Sequence, residues 1–529
     1  MSQVMVISGS RAFGLFSVHG CSGLGLVFLA LAACAAPAPP AREPPGAAPQ
    51  APPAPAAAPV APATPASSSA RPGEIALRKH LDSLLRGEPN YEDMVPEAAA
   101  AIRSQPGARD AIVRLGPVES VSFKGVGPRG ADIYEVATTE GLAEWRIMLN
   151  PEGKIVVLFF HILEKPPAQP LSRDEFAAAL QARLAEAARD DQFSGTVLVA
   201  QGGKPICKFA LGLADRERNI PNTLETKFRL GSMNKMFTAV SILQLVQARR
   251  IALTDALARY LPDYPNQELA RQVTIHHLLT HTGGTGDIFG PEYAEHRKEL
   301  RKLEDYVRLY GARATEFPPG SDWKYSNYGF VLLGVVIEKV TGQSYYDYVS
   351  EHVYAPAGMT STGSFPEDEV VPLRSVGYMA FRPEGSPKPR PDQVWWANDD
   401  SLPYRGTSAG GGYSTVGDML RFADALEKHV LLDAAHTQLL TTGKVAVSGQ
   451  DHYAYGFMDQ TVGGVHCVGH DGGAPGMNGS LMICDPPGAV SPYVIVALAN
   501  LDPPAAHRIA DFARARLPSI ERSRHASAR

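Results

Sequence analysis

At 529 residues the chain has room for two or three domains, and 44% hydrophobic against 20% charged residues is the balance of a folded globular protein. Fifty basic and 55 acidic side chains leave a formal charge of -5, with no lysine/arginine run interleaved with aromatics. That composition argues against a nucleic-acid partner.

Arg11 precedes an apolar stretch from Leu24 to Ala33, too short to cross a bilayer as a mature helix, and 1–34 reads as an export signal. The stretch ends in Leu31-Ala32-Ala33-Cys34, which resembles the lipobox of bacterial lipoproteins, where the cysteine is lipidated and becomes the first mature residue. The expectation is an exported protein of the bacterial cell envelope, an outer-membrane lipoprotein facing the periplasm and anchored to the membrane through Cys34. More than one acyl chain is needed, because a single chain holds weakly. Conventional cleavage in the alanine-rich stretch after Cys34 is the alternative, and it too exports the chain. From 35 to 72 nearly every residue is Ala, Pro or Ser, too poor in apolar surface for a core; this tether could reach on the order of 100 Å as extended polyproline.

Residues 73–165 read as a small α+β domain. Leu77, Leu81, Leu84 and Leu85 form a helical stripe ending at Gly87, and a second helix is expected from Ala98 to Leu115. Alternating segments follow at Val121/Phe123, Ile133 to Val136, Trp145 to Leu149 and Ile155 to Phe160, which suggests a cystatin- or NTF2-like layer. With no catalytic constellation, it reads as a spacer or recognition module. Pro166-Pro167-Ala168-Gln169-Pro170 separates it from a second domain over 173–517. That domain opens with a helix from Arg173 to Ala188, then a hairpin of Gly195–Ala200 and Ile206–Leu211 about Gly202-Gly203.

The chemistry begins at Ser232-Met233-Asn234-Lys235, between the strand-like Lys227–Leu230 and the apolar run Phe237 to Val246. A helix starting near Ser232 leaves its first N–H groups unpaired and aims its positive end at the hydroxyl. A spacing of three puts Lys235 one turn along the same face; an ammonium packed against an apolar helix tends to lose its proton and can then take the serine's. Chance supplies roughly one such tetrapeptide in a chain this long, so the motif needs company. Tyr325-Ser326-Asn327 follows the turn Pro318-Pro319-Gly320 and precedes an apolar helix from Phe330 to Val340, a loop from which polar groups can enter a cleft. Tyr264-Pro265-Asn266 also reads Tyr-x-Asn, but it is bracketed by Pro262 and Pro265 with no helix directly after it. The structural alternatives are a half-buried tyrosine at 325 and a helix cap at Asn327. The proline-rich stretch from Tyr378 to Tyr404, with Trp395 and Trp396, reads as a rim or lid over a cleft, or as surface packing. His470-Asp471-Gly472-Gly473 closes a strand-like run from Val465 to Gly469, and a Gly-rich turn leads to a second strand, Ser480 to Cys484.

Of five cysteines, Cys21 goes with the signal and Cys34 with the lipid, leaving Cys207, Cys467 and Cys484. If the turn Ala474-Pro475-Gly476-Met477 joins adjacent strands symmetrically, Cys467 and Cys484 fall opposite one another, as a disulfide or as two buried thiols. His276, His277 and His281 lack partners at ligand spacing, so no metal is expected.

Ser-x-x-Lys at 232, Tyr-x-Asn at 325 and a basic residue followed by x-Gly at 470, in that order, together resemble the penicillin-recognising serine hydrolases. The likeness is greatest to the class C β-lactamase branch, with its D-alanyl-D-alanine carboxypeptidases and family VIII carboxylesterases. Ile275-His276-His277-Leu278-Leu279-Thr280-His281-Thr282-Gly283, Ala409-Gly410-Gly411-Gly412-Tyr413-Ser414-Thr415 and Gly469 to Gly476 look like further landmarks, and the resemblance runs from about 190 to 515. It implies an α+β, β-lactamase/transpeptidase-like fold: an antiparallel sheet packed with helices, plus a mostly helical subdomain, the site lying between that part and the strand of His470. It also implies a serine hydrolase working through an acyl-enzyme on an ester or amide, a small molecule or peptide, without metal or organic cofactor. Ser232 would attack and Lys235 and Tyr325 would move its proton. The N–H groups of Ser232 and Gly473, beside Gly472, would hold the oxyanion, while Asn327 and His470 orient substrate. The usual third-motif lysine is His470 here; an imidazole, largely neutral near pH 7, weakens a carboxylate anchor and favours esters over β-lactams. The competing readings are a D-alanyl peptidase or β-lactamase near peptidoglycan, and a catalytically silent binding protein. Neither motif nor composition sets an oligomeric state.

Overall fold

The computed structural model describes residues 71–86, 90–103, 116–127, 130–139, 141–163, 171–380, 395–398, 402–448 and 451–518. The signal, Cys34 and nearly all of the tether lie outside these residues, as do 166–170 and the predicted second helix beyond Arg103.

Helix α1 (Pro72–Leu85) starts with proline in its first turn and buries Leu77, Leu81 and Leu84. With α2 (Pro96–Arg103) it belongs to a unit whose sheet runs β1 (Val118–Val126), β2 (Asp132–Thr138), β3 (Leu142–Leu149) and β4 (Ile155–Leu163) in simple sequence order. Its core includes Tyr134, Trp145 and Phe160, the last two stacked at 4.9 Å between ring centroids.

Helix α3 (Arg173–Arg189) opens on a Ser172/Glu175 capping box. After it come β5 (Gly195–Gln201), β6 (Lys204–Leu211), the short β7 (Phe228–Arg229) and α4 (Asn234–Gln247). Further along are α5 (Asn327–Thr341), β8 (Tyr413–Ser414), which pairs with β7, and then β9 (Val445–Ser448), β10 (Asp451–Tyr453) and β11 (Met458–Val462). The chain completes its sheet with β12 (Val465–Ala474), β13 (Met477–Asp485) and β14 (Tyr493–Ala499), followed by α6 (Ala505–Arg514). Eight strands form one antiparallel sheet in the order β9-β10-β11-β12-β13-β14-β5-β6. Strands β5 and β14 are buried along their whole length, so they read as unbroken apolar runs. Val197, Val199, Ile495 and Ala497 join the core of α3 and α6, while Leu198, Ala200, Val494 and Val496 join that of α4. Helix α4 is buried on every side from Asn234 to Leu243, which an apolar run without a polar stripe requires.

Two local expectations need correction, and one pair of open alternatives is settled residue by residue. Strand β12 does not close at Gly469 but continues through the Gly-rich motif to Ala474, and Pro475-Gly476 makes the turn, with Gly476 at a φ of 71°. A short helix, Gln267–Gln272, does follow Tyr264-Pro265-Asn266, capped by the Asn266 side chain. Trp395 packs on the α3 side of the sheet, beside Arg216 and bonded to Asp191; from that stretch Leu402 and Pro403 reach the cleft instead.

The register places Cys467 directly opposite Cys484, and the two form a disulfide, while Cys207 is a half-buried free thiol. Replacing both bridged cysteines by alanine should cost roughly 3 kcal/mol, the scale for a closed loop of this size. Calorimetry of the native and double-variant proteins checks it; coincident melting transitions would contradict it.

Candidate active site

The chain leaves β7 through one 3-10 turn, Gly231–Met233, so Ser232 sits in that turn and the α-helix proper begins at Asn234. Gly231 has a φ of 53°, and a Cβ there would stand 2.8 Å from the Gly473 nitrogen; a Cβ on Gly472 would stand 1.8 Å from the Leu230 oxygen. Only glycine lets the serine turn and β12 approach so closely. Strand β11 pairs with β12 no further than Gly469, which leaves the remaining edge of β12 to face the turn. Ser232 and Gly473 both line the resulting cleft.

Lys235 is fully buried. Its Nζ lies 3.1 Å from Ser232 Oγ, 2.7 Å from Asn327 Oδ1 and 2.6 Å from the Ala409 carbonyl. The last two atoms can only accept. A free amine has two N–H bonds for them and keeps its lone pair for the serine O–H. Burial lowers the Lys235 pKa to about 7, with Asp287 pulling weakly the other way. Asn327 cannot flip, because its Nδ2 donates to both carboxylate oxygens of Asp287 at 3.0 and 3.1 Å.

Tyr325 is held by aromatic rings. Its ring lies 4.2 Å from that of His281, and the Lys235 nitrogen sits 4.7 Å over its centroid. Burial pushes the phenol far above its usual range; nearby Ser232 opposes that push, although no hydrogen bond to the hydroxyl is formed among the described residues. Ser326, not Asn327, caps α5 through its bond from the Gly329 N–H. Tyr264 stands elsewhere, its hydroxyl 3.0 Å from that of Tyr328.

His470 is buried, and both its ring nitrogens are engaged. Nδ1 lies 2.6 Å from the Asp471 carbonyl, which can only accept, so that nitrogen carries the proton. Nε2 then accepts from the Tyr453 hydroxyl at 3.0 Å. Burial first and the Lys235 charge second lower its pKa to about 4. The ring therefore stays neutral well below pH 7, and its polar atoms face protein groups. Neither His470 nor Gly472 lines the cleft, whereas Asn327 and Tyr325 do. Behind the motif Asp471 pairs with His507 on α6; burial opposes the charge on His507, but the carboxylate outweighs it and raises the pKa to about 9.

Sequence reading missed Asp287, Tyr453, His507 and the contacts of His281, which turns through a φ of 60° and accepts the Ser326 N–H on Nδ1 at 3.1 Å. The run Gly283-Gly284-Thr285-Gly286 was a loop signal directly before Asp287. His276 bonds Tyr455 and His277 closes a capping box with Thr274. Among the described residues no three His, Cys, Asp or Glu side chains gather so as to hold a metal ion, and no helix is long and apolar enough to cross a membrane. The cleft has a volume of about 370 Å³.

The protein-family model described as Beta-lactamase matches residues 176–518. Penicillin-binding protein 4* of Bacillus subtilis (strain 168) is 30% identical over 296 residues, covering 54% of this chain and 64% of that protein. Esterase EstB of Burkholderia gladioli is 34% identical over 241 residues, covering 42% of this chain and 59% of the esterase. The chain thus spans somewhat under two thirds of the length of these curated relatives. Among solved structures, the penicillin binding protein from Bacillus halodurans shares 34% identity with a TM-score of 0.54, covering 62% of this chain and 96% of its own. The D-stereospecific amidohydrolase from Streptomyces sp. shares 26% identity with a TM-score of 0.52, over 64% of this chain and 98% of its own.

Proposed function

Since the chain belongs to the Beta-lactamase family, we propose that it is an exported serine hydrolase that cleaves ester or amide substrates through an acyl-enzyme. The observation that carries this reading is the Lys235 amine 3.1 Å from Ser232 Oγ, with its other two contacts taken by atoms that only accept. In the reaction the Ser232 oxygen bonds to the substrate carbonyl carbon while its proton passes to Lys235, with Tyr325 beside both groups. The N–H groups of Ser232 and Gly473 stabilise the oxyanion. The bond to the leaving group breaks as that proton returns to it, and water, activated in the same way, frees the acid and restores Ser232. Asn327 and Asp287 position the amine. His470 shapes the site through Tyr453 and β12, a positioning role instead of the direct substrate contact the motif suggested.

A neutral His470 removes the fixed cation that a third-motif lysine would offer, which favours esters over β-lactams. The similarity to penicillin-binding proteins favours the second reading, cleavage of D-alanyl peptides or β-lactams near peptidoglycan. The test is kcat/KM for a neutral short-chain ester against a cephalosporin, with mass mapping of any adduct. A preference for the cephalosporin rejects the first reading in favour of the second. No adduct and no turnover of either points to a silent binding protein.

The finer part of the proposal is a lipoprotein anchored through Cys34, with the Ala/Pro-rich segment as tether and the 73–165 unit as spacer or recognition module. The Cys467–Cys484 disulfide supports an oxidising compartment. Cys34→Ser should move the protein from the membrane to the soluble fraction of expressing cells. Equally firm membrane attachment in that variant rejects the anchor.

A further inference from the structure

The peptide that joins Gly472 to Gly473 carries the N–H assigned to the oxyanion, and its own residues do little to fix it. Neither has a side chain to pack, and β11 stops pairing at Gly469, so one side of β12 is left to the serine turn. The other side meets Asn478, which stands on β13 directly opposite Gly473 and is 1% exposed. Its Nδ2 donates to the Gly472 carbonyl at 2.8 Å. A trans peptide sends its N–H opposite to its C=O, so the Gly473 N–H points away from Asn478, toward Gly231 and the cleft.

The same side chain is held from behind. Helix α6 starts after Pro504, which offers no side-chain cap, and the N–H groups of Ala506 and His507 in its first turn donate instead to Asn478 Oδ1, at 2.7 and 3.1 Å. The amide cannot be turned over, because its oxygen faces donors and its nitrogen faces an acceptor. A carboxylate at 478 would suit the helix start at least as well, but it could not donate to Gly472. Beside this contact the Asp471 carboxylate and His507 join the same strand to the same helix. We propose that Asn478 is a positioning residue for the oxyanion donor: it fixes and polarises the peptide between Gly472 and Gly473 from the start of α6, so that the Gly473 N–H is already aimed where charge develops in the transition state. This rests on the hydrolase reading above and adds a residue to it.

Two variants separate the two bonds of this amide. Asn478→Asp keeps an acceptor for the α6 N–H groups and loses the donor to Gly472, whereas Asn478→Ala loses both without adding a charge. Both should lower kcat for para-nitrophenyl butyrate by on the order of 10-fold, less than the roughly 10²- to 10³-fold lost with an oxyanion donor itself. The melting temperature should fall in the alanine variant only. Phenylboronic acid supplies a readout that a merely structural role would not move: the Ser232 oxygen adds to boron, which becomes tetrahedral and anionic as the serine proton passes to Lys235. Its inhibition constant should rise in step with the fall in kcat, while binding of the intact ester, measured by calorimetry in the Ser232→Ala background with and without Asn478→Asp, should stay within about twofold. A native-like kcat and boronate affinity in Asn478→Asp overturns the proposal and leaves Asn478 a helix cap, and it does so even if the alanine variant does not fold. A loss confined to Asn478→Asp overturns it as well, by assigning the effect to the added charge. Failure of the hydrolase reading shows differently, as no turnover, no fluorophosphonate adduct and no boronate binding in the native protein itself, and it removes the positioning role with it.

Discussion

Ser232→Ala should abolish labelling by a fluorophosphonate and lower kcat for a short-chain ester by on the order of 10⁴-fold or more, the scale seen when a catalytic nucleophile is removed. The fold should be unchanged, and the reason is local. Neither the 3-10 turn nor α4 is capped by the Ser232 side chain, so the substitution removes no capping bond. The tight approach of the turn to β12 depends on Gly231 and Gly472 instead. What disappears is the oxygen beside the Lys235 amine. Mass mapping of the native protein should locate the adduct on Ser232, and not on Ser326, whose hydroxyl is spent on the Gly329 N–H and on Thr285. Retained turnover in the alanine variant, or an adduct elsewhere, rejects Ser232 as nucleophile.

Much of this site was legible because its parts are local. The serine-to-lysine spacing is one helical turn, the apolar run after it can only be a buried helix, and the turn before Tyr325 is written in proline and glycine. The opposition of Cys467 and Cys484 also followed from counting outward from a tight turn. The rest depends on contacts between distant segments. Asp287 matters because it fixes Asn327, forty residues on, and the Ala409 carbonyl because it faces Lys235 across 174 positions. A backbone carbonyl has no residue type to recognise. The run of β12 past Gly469 was illegible for another reason: three of its next four residues are glycine or aspartate, which favour turns, and neighbouring strand β13 and the serine turn override that preference. The same applies to His470, whose pKa near 4 comes from burial and from the Lys235 charge, neither visible in a motif.

Lys235→Met should be nearly as damaging as loss of the serine, with kcat/KM for a neutral ester reduced by on the order of 10³- to 10⁴-fold, because methionine keeps the volume but has no lone pair for the serine proton. Lys235→Arg should not rescue it, since a guanidinium stays protonated. The native pH profile gives the sharper test. With the Lys235 pKa lowered to about 7, its base form is lost as pH falls, so kcat/KM should drop about tenfold per unit below pH 7 and level off above it. His470, at about 4, contributes no step in that range. Asp287 favours the ammonium, so Asp287→Asn should move the limb to lower pH, while its amide oxygen can still accept from Asn327 Nδ2. Folding should follow the opposite limb of the same linkage. Between about pH 7 and the ordinary lysine value of 10.5 the unfolded chain binds a proton that the folded one does not, so the native protein gains stability as pH rises through that window. Lys235→Met lacks this dependence, and the difference between the two proteins in urea melts should narrow or reverse from pH 7 to 10 in the native protein's favour. A profile whose acid limb does not move in Asp287→Asn, together with substantial activity in Lys235→Met, would assign the proton transfer to Tyr325 alone.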